Sequence, residues 1–240
     1  MNTESTPPPT QRGEQARQNL LHAALILFGE KGVEGATTRD IATKAGQNIA
    51  AITYYFGSKE GLYLAVAQWI ADTISANFIP FREECTRLLA EESPDAERCL
   101  NCIRKGLDSL LRVLMHPESL SLSKIMSREQ LAPTAAYQLV HQSVIAPLHG
   151  LMTQLLAIYT GMSPDDPRAV LHTHACLGNV LAFLIARETI RIQAGWESIG
   201  EEQVNIISAV LHERNDILMK NLREHYYSGA PSSSCGEHHE

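Results

Sequence analysis

The sequence predicts an all-α protein, in which a small N-terminal three-helix domain is joined to a larger helical domain. Apolar residues recur three and four positions apart along most of the chain, which is the spacing of one helix face. No stretch alternates apolar and polar residues over the length of a strand. Proline and glycine separate the helical stretches, and 44% of the 240 residues are apolar, so the chain can bury a sizeable core.

The first predicted helix begins near Glu14, after a polar arm that contains three consecutive prolines. Gly32 and Gly35 are expected to end it. The apolar residues of its inner face are Leu20, Ala23, Ala24, Leu27 and Phe28.

Two short helices joined by a glycine turn are predicted next. Thr37 or Thr38 can cap the first of them, and Asp40 stands three residues after Thr37, as in a capping box. Gly46 can adopt the positive φ that ends this helix, and Asn48 can cap the following one. This is the pattern of a helix-turn-helix, whose second helix enters the major groove of DNA.

Ser58 is expected to cap a longer fourth helix, which ties the small domain to the rest of the chain. Further helices are predicted between breaks at Pro80, Ser93-Pro94, His116-Pro117, Pro133, Pro147 and residues 161–167. The sequence thus predicts a disordered arm (1–12), a helix-turn-helix domain (13–62), a larger helical domain (63–228) and a disordered tail (229–240).

Two long helices are predicted near the end of the chain. Asp166 caps the first, with Pro167 at its first position, and Gly195 ends it after about Gln193. The second opens at Glu201 and carries two apolar stripes, which consist of Val204, Ile207, Leu211, Leu218 and Leu222, and of Ile206, Val210 and Ile217. These faces predict a symmetric four-helix contact between two subunits, although they could instead close the core of the monomer.

The charge distribution favours a protein that touches DNA through one small face. The formal net charge is −7, yet residues 36–59 contain three basic residues and one acidic residue. Residues 63–240 contain 14 basic and 21 acidic residues. An acidic body with a locally basic tip suits specific contact at the tip and argues against non-specific coating of DNA.

The sequence also predicts a cytoplasmic protein with reduced thiols. Its five cysteines are odd in number and widely spread, and its first residues lack the apolar core of a secretory signal. Residues 131–164 and 169–186 are uncharged, but proline, glycine, histidine and asparagine interrupt them. We interpret both stretches as helices of a soluble core and predict no membrane contact.

The sequence contains none of the common catalytic or metal-binding motifs. Glycine-rich phosphate loops, a nucleophile elbow and His-Glu-x-x-His are absent. His172 and His174 are two positions apart and would point in different directions on a helix. Cys99 and Cys102 form a C-x-x-C pair, but no second ligand pair follows at zinc spacing. We therefore predict no enzymatic activity, no cofactor and no metal site.

The helix-turn-helix resembles that of the TetR family of transcriptional regulators. The likeness is carried by Thr-Thr-Arg-Asp-Ile-Ala at residues 37–42 and by an aromatic pair before Phe-Gly-Ser-Lys-Glu at 56–60. It covers about residues 14–64, whereas the rest of the chain matches only in being helical. The runs at 47–59 and 127–134 are similar to the CecR subgroup. This closer resemblance implies control of nearby efflux or transport genes.

The resemblance implies which side chains contact a double-stranded DNA operator. Residues 48–55 correspond to the recognition helix. Family members usually have Tyr where Thr53 stands and Thr where Ala51 stands, so the operator sequence is expected to differ. The candidate DNA contacts are Thr38, Arg39, Gln47, Asn48, Ala50, Ala51, Thr53, Tyr54, Tyr55 and Lys59.

These candidates have different expected roles. Gln47 and Asn48 have the amide geometry to read adenine, and Thr53 can bond a base edge or pack on a thymine methyl group. One of the two adjacent tyrosine rings could belong to the core, and Tyr55 is the better candidate for that position. Arg39 could contact a phosphate or only solvent. The family's phosphate-contacting positions correspond to Thr38, Tyr54, Tyr55 and Lys59.

The resemblance also implies an effector pocket in the larger domain, for a small molecule that the sequence does not identify. Arg128 could hold an anionic group of that ligand, or it could pair with Glu129 or another acid. The candidate pocket residues are Trp69, Phe78, Arg128, Tyr137, His141 and His174.

The sequence therefore predicts a ligand-responsive TetR-type repressor that binds a pseudo-palindromic operator as a homodimer through its last two helices. The alternative is a helical small-molecule-binding protein or enzyme whose helix-turn-helix does not bind DNA.

Overall fold

The computed structural model describes residues 11–227, and the predicted all-α class is confirmed, with no strand among those residues. Most of the predicted arm and all of the predicted tail lie outside the described residues. The α-helices are α1 (Gln11–Gly35), α2 (Thr38–Lys44), α3 (Ala50–Phe56), α4 (Lys59–Asn77), α5 (Ile79–Leu89), α6 (Ala96–Met115), α7 (Leu120–Leu131), α8 (Ala135–Val140), α9 (Ala146–Thr160), α10 (Pro167–Ile185), α11 (Arg187–Gln193) and α12 (Glu201–Tyr227). A 3₁₀ turn (Pro117–Ser119) precedes α7, and a π-helix (His141–Ile145) follows α8.

The described chain folds into two compact units. The first unit consists of residues 11–76 and 116–146, so it combines α1 to α4 with α7, α8 and the π-helix. The second unit consists of residues 77–115 and 147–227. The compact unit around the helix-turn-helix therefore includes residues from the middle of the chain. The domain boundary after residue 62 stays a prediction.

The first unit is built around α1, and α7 packs closely against it. Gly29 permits this approach, because a Cβ atom there would lie 2.9 Å from the Cα of Ser121. Phe28 is fully buried, and its ring meets that of Tyr63 edge-on with centroids 5.1 Å apart. Other buried residues of this core are Leu20, Leu27, Ile41, Ile52, Leu62, Val66, Ile70, Leu122 and Ile125. The helix-turn-helix and α7 therefore share one core.

In the second unit, α5 and α6 run antiparallel at close range. Phe81 meets Gly106, where a Cβ atom would lie 2.7 Å from the ring, and Glu84 pairs with Lys105. The face of α6 turned to its neighbours is apolar, and α10 and α12 also pack against this helix. Buried residues of this unit include Cys85, Leu88, Cys99, Ile103, Leu107, Leu111, Leu155, Leu156, Cys176, Val180, Ile207 and Leu211.

The single helix predicted from residue 167 to about 193 is divided in the structure. The division falls at Ala186, which has φ −94° and ψ 21°. The next residue, Arg187, donates hydrogen bonds to the carbonyl oxygens of Met115 and Ile199. The prediction of a single helix was therefore wrong. No proline or glycine in the sequence marks the break, which coincides with these hydrogen bonds from Arg187 to residues outside the helix.

Two helical stretches within residues 11–227 are long and apolar enough to span a membrane, by length and composition alone. They are Ala135–Thr160 and Pro167–Ile185, and 44% and 22% of their most apolar windows are buried. Within the same described range, no group of three or more His, Cys, Asp or Glu side chains is arranged to hold a metal ion.

Candidate DNA-binding site

Local hydrogen bonds shape the helix-turn-helix. The hydroxyl of Thr37 accepts from the backbone N–H of Asp40 (3.1 Å), and the side-chain oxygen of Asn48 accepts from the N–H of Ala50 (2.9 Å). Gly46 has a φ of 64°, in the left-handed region that glycine adopts without strain. These contacts confirm the cap at Thr37 and the turn at Gly46. The cap predicted at Asn48 was wrong by one residue, because the N-cap of α3 is Ile49, which makes no side-chain capping hydrogen bond, and Asn48 accepts from Ala50 one position earlier.

The short helix α3 presents a polar face to solvent. Ile52 anchors the helix in the core, so Ala50, Thr53 and Tyr54 point outward, and Tyr54 is 81% exposed. Tyr55 is half-buried, and its ring meets that of Tyr54 edge-on at 4.9 Å. The exposed face therefore offers a methyl group and two hydroxyl groups, which suit contact with base edges and phosphates.

The charges around α2 leave a positive surface. Lys31 on α1 pairs with Asp40 at 3.2 Å and lowers the pKa of that carboxyl group. Arg39 is exposed and makes no ion pair among the described residues. Its guanidinium group is therefore available for a phosphate, although the contact itself stays a prediction.

Lys59 has a structural partner that the sequence did not suggest. Its ammonium group donates to the carbonyl oxygen of Val33 at 2.9 Å, so it joins the start of α4 to the end of α1. An ammonium group has three donors, so this contact leaves hydrogen-bonding capacity for a phosphate. At the same point, the hydroxyl of Ser58 accepts from the N–H of Gly61, as expected of a helix cap.

The candidate effector residues divide between the two units. In the first unit, Trp69 lines a groove of about 600 Å³ beside α1, together with His22 and Lys44. The rings of Tyr137 and His141 stack in a tilted arrangement with centroids 5.6 Å apart.

The other two aromatic candidates lie in the second unit. Phe78 is buried edge-on against Phe81, with ring centroids 6.0 Å apart. His174 is exposed, and its ring lies 6.1 Å from that of His149.

Arg128 does not pair with Glu129 or another acid among the described residues, and its role in holding a ligand stays a prediction. Its guanidinium group donates to the carbonyl oxygen of Phe28 at 2.8 Å and to that of Glu30 at 3.4 Å. Glu129 instead accepts a 2.7 Å hydrogen bond from the hydroxyl of Tyr63. Both side chains are therefore engaged within the first unit.

Sequence reasoning missed the role of Glu129 and Tyr63. The signal was an acidic residue in the last turn of α7, a position that the helix dipole disfavours for a negative charge. Such a residue needs hydrogen-bond donors from elsewhere. Thr134, which caps α8, supplies two of them through its backbone N–H and its hydroxyl.

Two family models match the chain. Residues 20–66 match the model for bacterial regulatory proteins of the tetR family. Residues 101–222 match the model for the C-terminal domain of the HTH-type transcriptional dual regulator CecR.

Individual proteins show the same relationship. The HTH-type transcriptional dual regulator CecR of Shigella flexneri is 48% identical over 220 residues, which cover 92% of this chain and 98% of that protein. The HTH-type transcriptional repressor NicS of Pseudomonas putida is 39% identical over 70 residues, or 29% of this chain and 33% of that protein.

Solved structures share the fold at low identity. A TetR-like transcriptional regulator from Rhodococcus sp. RHA1 superposes with a TM-score of 0.57 at 21% identity, covering 90% of this chain and 97% of that one. HlyIIR, a hemolysin II transcriptional regulator, gives 0.55 at 21% identity, covering 83% and 98%.

Proposed function

The chain belongs to the TetR family of DNA-binding transcriptional regulators, and we propose that it binds a pseudo-palindromic operator as a homodimer and represses neighbouring transport or efflux genes. Release from DNA would follow the binding of a small-molecule effector. The observation that carries the proposal is the outward face of α3, where Thr53 and Tyr54 are exposed while Ile52 fixes the helix. Two such helices about 34–36 Å apart would read successive major grooves.

Footprinting of the DNA upstream of the gene and its neighbours tests this proposal and identifies the operator. Binding to that fragment should then weaken steeply between about 50 and 200 mM salt, because phosphate contacts release counterions. DNA that is bound nowhere specifically would contradict the proposal.

Two variants then test whether α3 and the start of α4 contact the operator. Thr53→Ala should weaken operator binding by about 1 kcal/mol, while non-specific binding is unchanged, because a single hydroxyl or methyl contact to a base is lost. Lys59→Ala should lower the salt slope by about 0.9, the contribution of one phosphate. Arg98→Ala removes the same charge from an exposed pair with Glu91 in the second unit and should change neither. If both test variants bind as the unaltered protein does, α3 is not the helix that recognises the operator.

The proposed dimer is supported by apolar faces that the chain itself leaves exposed. On α10 they consist of the exposed residues Leu171, Ala175, Ala182 and Ile185 and the half-buried Gly178, which recur at the spacing of one helix face. On α12 they consist of Ile206, Val210 and Ile217, beside a second stripe in which Val204, Ile207 and Leu211 are buried and Leu218 and Leu222 are half-buried. A large exposed apolar patch is typical of a subunit interface.

Sedimentation velocity at micromolar concentration tests the dimer. The unaltered protein should sediment as a dimer, and Ile217→Asp should sediment as a monomer, because a carboxylate would be buried without a partner. The matched control is Leu131→Asp, which places the same charge at an 89% exposed apolar residue on α7. A monomeric unaltered protein would contradict the paired-site geometry.

The regulatory output is proposed from the family and from the similarity to a protein described as a dual regulator. Regulators of this type are in general soluble cytoplasmic proteins, and we propose the same of this chain. Deletion of the gene should raise the transcripts of neighbouring transport or efflux genes if the protein represses them. A fall in those transcripts would indicate activation instead.

A further inference from the structure

We propose that Arg128 is a positioning residue for DNA recognition, which holds the end of α1 and thereby the helix-turn-helix in its reading orientation. The inference rests on the function proposed above and adds a residue outside the DNA-contacting helices. Arg128 lies in the last turn of α7, within the stretch that matches the C-terminal family model.

The contact of Arg128 falls where α1 loses its regular structure. Gly32 has φ 74° and ψ 173°, so the helical path is interrupted three residues before α1 ends. Carbonyl groups in the last turn of a helical segment lack their usual donors. Arg128 donates to two of them, at Phe28 and Glu30. A cation at this end of a helix is also favoured by the helix dipole.

A second cation acts at the same place. Lys59 donates to the carbonyl oxygen of Val33, just beyond the interruption at Gly32. The end of α1 is thus held from α7 by Arg128 and from the start of α4 by Lys59. Because α2 and α3 lie between α1 and α4 in the chain, these two contacts fix the positions of both ends of the helix-turn-helix.

Glu129 fixes the platform from which Arg128 acts. It is 4% exposed, and its carboxylate accepts hydrogen bonds from the Tyr63 hydroxyl at 2.7 Å and from the backbone N–H groups of Thr134 (2.9 Å) and Tyr137 (3.2 Å). These contacts join α7 to α4 and to the start of α8. Burial and the nearby carboxylate raise the pKa of Tyr63, so its hydroxyl remains a donor at neutral pH.

The contacts form a closed circuit within the first unit. The Phe28 ring packs on Tyr63, the Tyr63 hydroxyl reaches Glu129, and the neighbouring Arg128 returns to the Phe28 carbonyl. The circuit reaches α2 through Lys31, three residues after Phe28, which pairs with Asp40. We therefore expect a change at Arg128 to affect α2 through the backbone between Phe28 and Lys31 and through the Lys31–Asp40 ion pair. The proposal requires no contact between Arg128 and DNA.

The test is the affinity of Arg128→Ala and Arg128→Lys for the footprinted operator fragment, measured at several salt concentrations on folded, active protein. Arg128→Ala should bind about tenfold more weakly, because DNA must then restore the orientation of the helix-turn-helix that the two hydrogen bonds maintain in the free protein. The salt slope should not change, because no phosphate contact is removed. Arg128→Lys should recover part of the loss, since an ammonium group can reach one carbonyl but lacks the planar fork.

The matched control is Arg187→Ala. Arg187 also donates to two backbone carbonyl oxygens, those of Met115 and Ile199, but it lies in the second unit. Operator affinity per dimer should be unchanged in this variant. Hydrogen exchange should show faster exchange of the α2 and α3 amides in Arg128→Ala only.

Should Arg128→Ala not fold, Tyr63→Phe removes one hydroxyl from the circuit and should weaken binding less, again at constant salt slope. Three results would overturn the proposal: unchanged affinity in the folded Arg128 variants, a slope that falls by about 0.9 as for a phosphate contact, or an equal loss in Arg187→Ala. Absence of specific binding by the unaltered protein would instead count against the proposed function itself.

Discussion

The contacts within the helix-turn-helix and those within the second unit differ in the sequence distance that they span. In the helix-turn-helix, Thr37 caps α2 through a residue three positions away. In the second unit, Arg104 on α6 makes two hydrogen bonds, of 2.8 and 2.7 Å, to the carboxylate of Asp216 on α12, 112 positions away. Local contacts are visible in the sequence because their spacing is fixed by the helix itself. Long-range contacts appear only when the fold is known.

The same contrast separates the two parts of the first unit. The side-chain hydrogen bonds at the starts of α2 and α3 involve neighbours in sequence, whereas Arg128 lies 100 positions from Phe28 and Tyr63 lies 66 positions from Glu129. The reading face is therefore built locally, and its orientation is fixed by distant residues. If this division is real, substitutions in the two kinds of contact should have separable effects.

The largest expected effect comes from the cores of the two units. Phe28→Ala should lower the free energy of unfolding by about 3–5 kcal/mol, and Leu107→Ala in the second unit by about 2–5 kcal/mol, because both side chains are almost completely buried. Hydrogen exchange should accelerate in the unit that carries the substitution. Equal acceleration in both units would show that they unfold together and would remove the basis for treating them separately.

A glycine pair tests how tightly α5 and α6 are packed. Gly106→Ala should destabilise the protein by about 1–2 kcal/mol, since the new Cβ would lie 2.7 Å from the Phe81 ring and 3.0 Å from the Met152 sulfur. Gly150→Ala on α9 is the matched control, because nothing lies within 4 Å of its Cβ position. That change should stabilise the protein by about 0.4–1 kcal/mol. Thermal unfolding would measure both, and effects of the same sign would contradict the packing argument.

The cap of α2 should have a smaller and more local effect. Thr37→Ala removes the acceptor for the Asp40 N–H and should cost about 1 kcal/mol. Thr43→Ala, on the same helix but exposed, should be neutral or slightly stabilising because alanine favours helices. Denaturant unfolding gives the two values, and operator binding should weaken in Thr37→Ala alone. An equal cost for both changes would mean that the cap does not fix α2.

These differences also explain what could be predicted from the sequence. The all-α class, the caps at Thr37 and Asp166 and the turn at Gly46 follow from local propensity and spacing, and the structure shows each of them. The break at Ala186 and the partners of Arg128 could not be predicted, because both depend on carbonyl groups supplied by distant helices. Every residue carries a backbone carbonyl group, so no residue pattern in the sequence indicates which carbonyl will accept a hydrogen bond from an arginine.

Disruption of the ion pair between Arg104 and Asp216 should have the smallest effect. It tests whether a contact between residues far apart in the sequence contributes to the free energy of unfolding. Both side chains are about one-third exposed, so solvent screens the pair, and a double-mutant cycle of Arg104→Met and Asp216→Asn should give a coupling of about 0.5–1 kcal/mol. The coupling should shrink at high salt. The more exposed pair of Arg98 and Glu91 is the control and should couple by less. If neither pair couples, the contact between Arg104 and Asp216 follows from the packing of α6 against α12 without stabilising it.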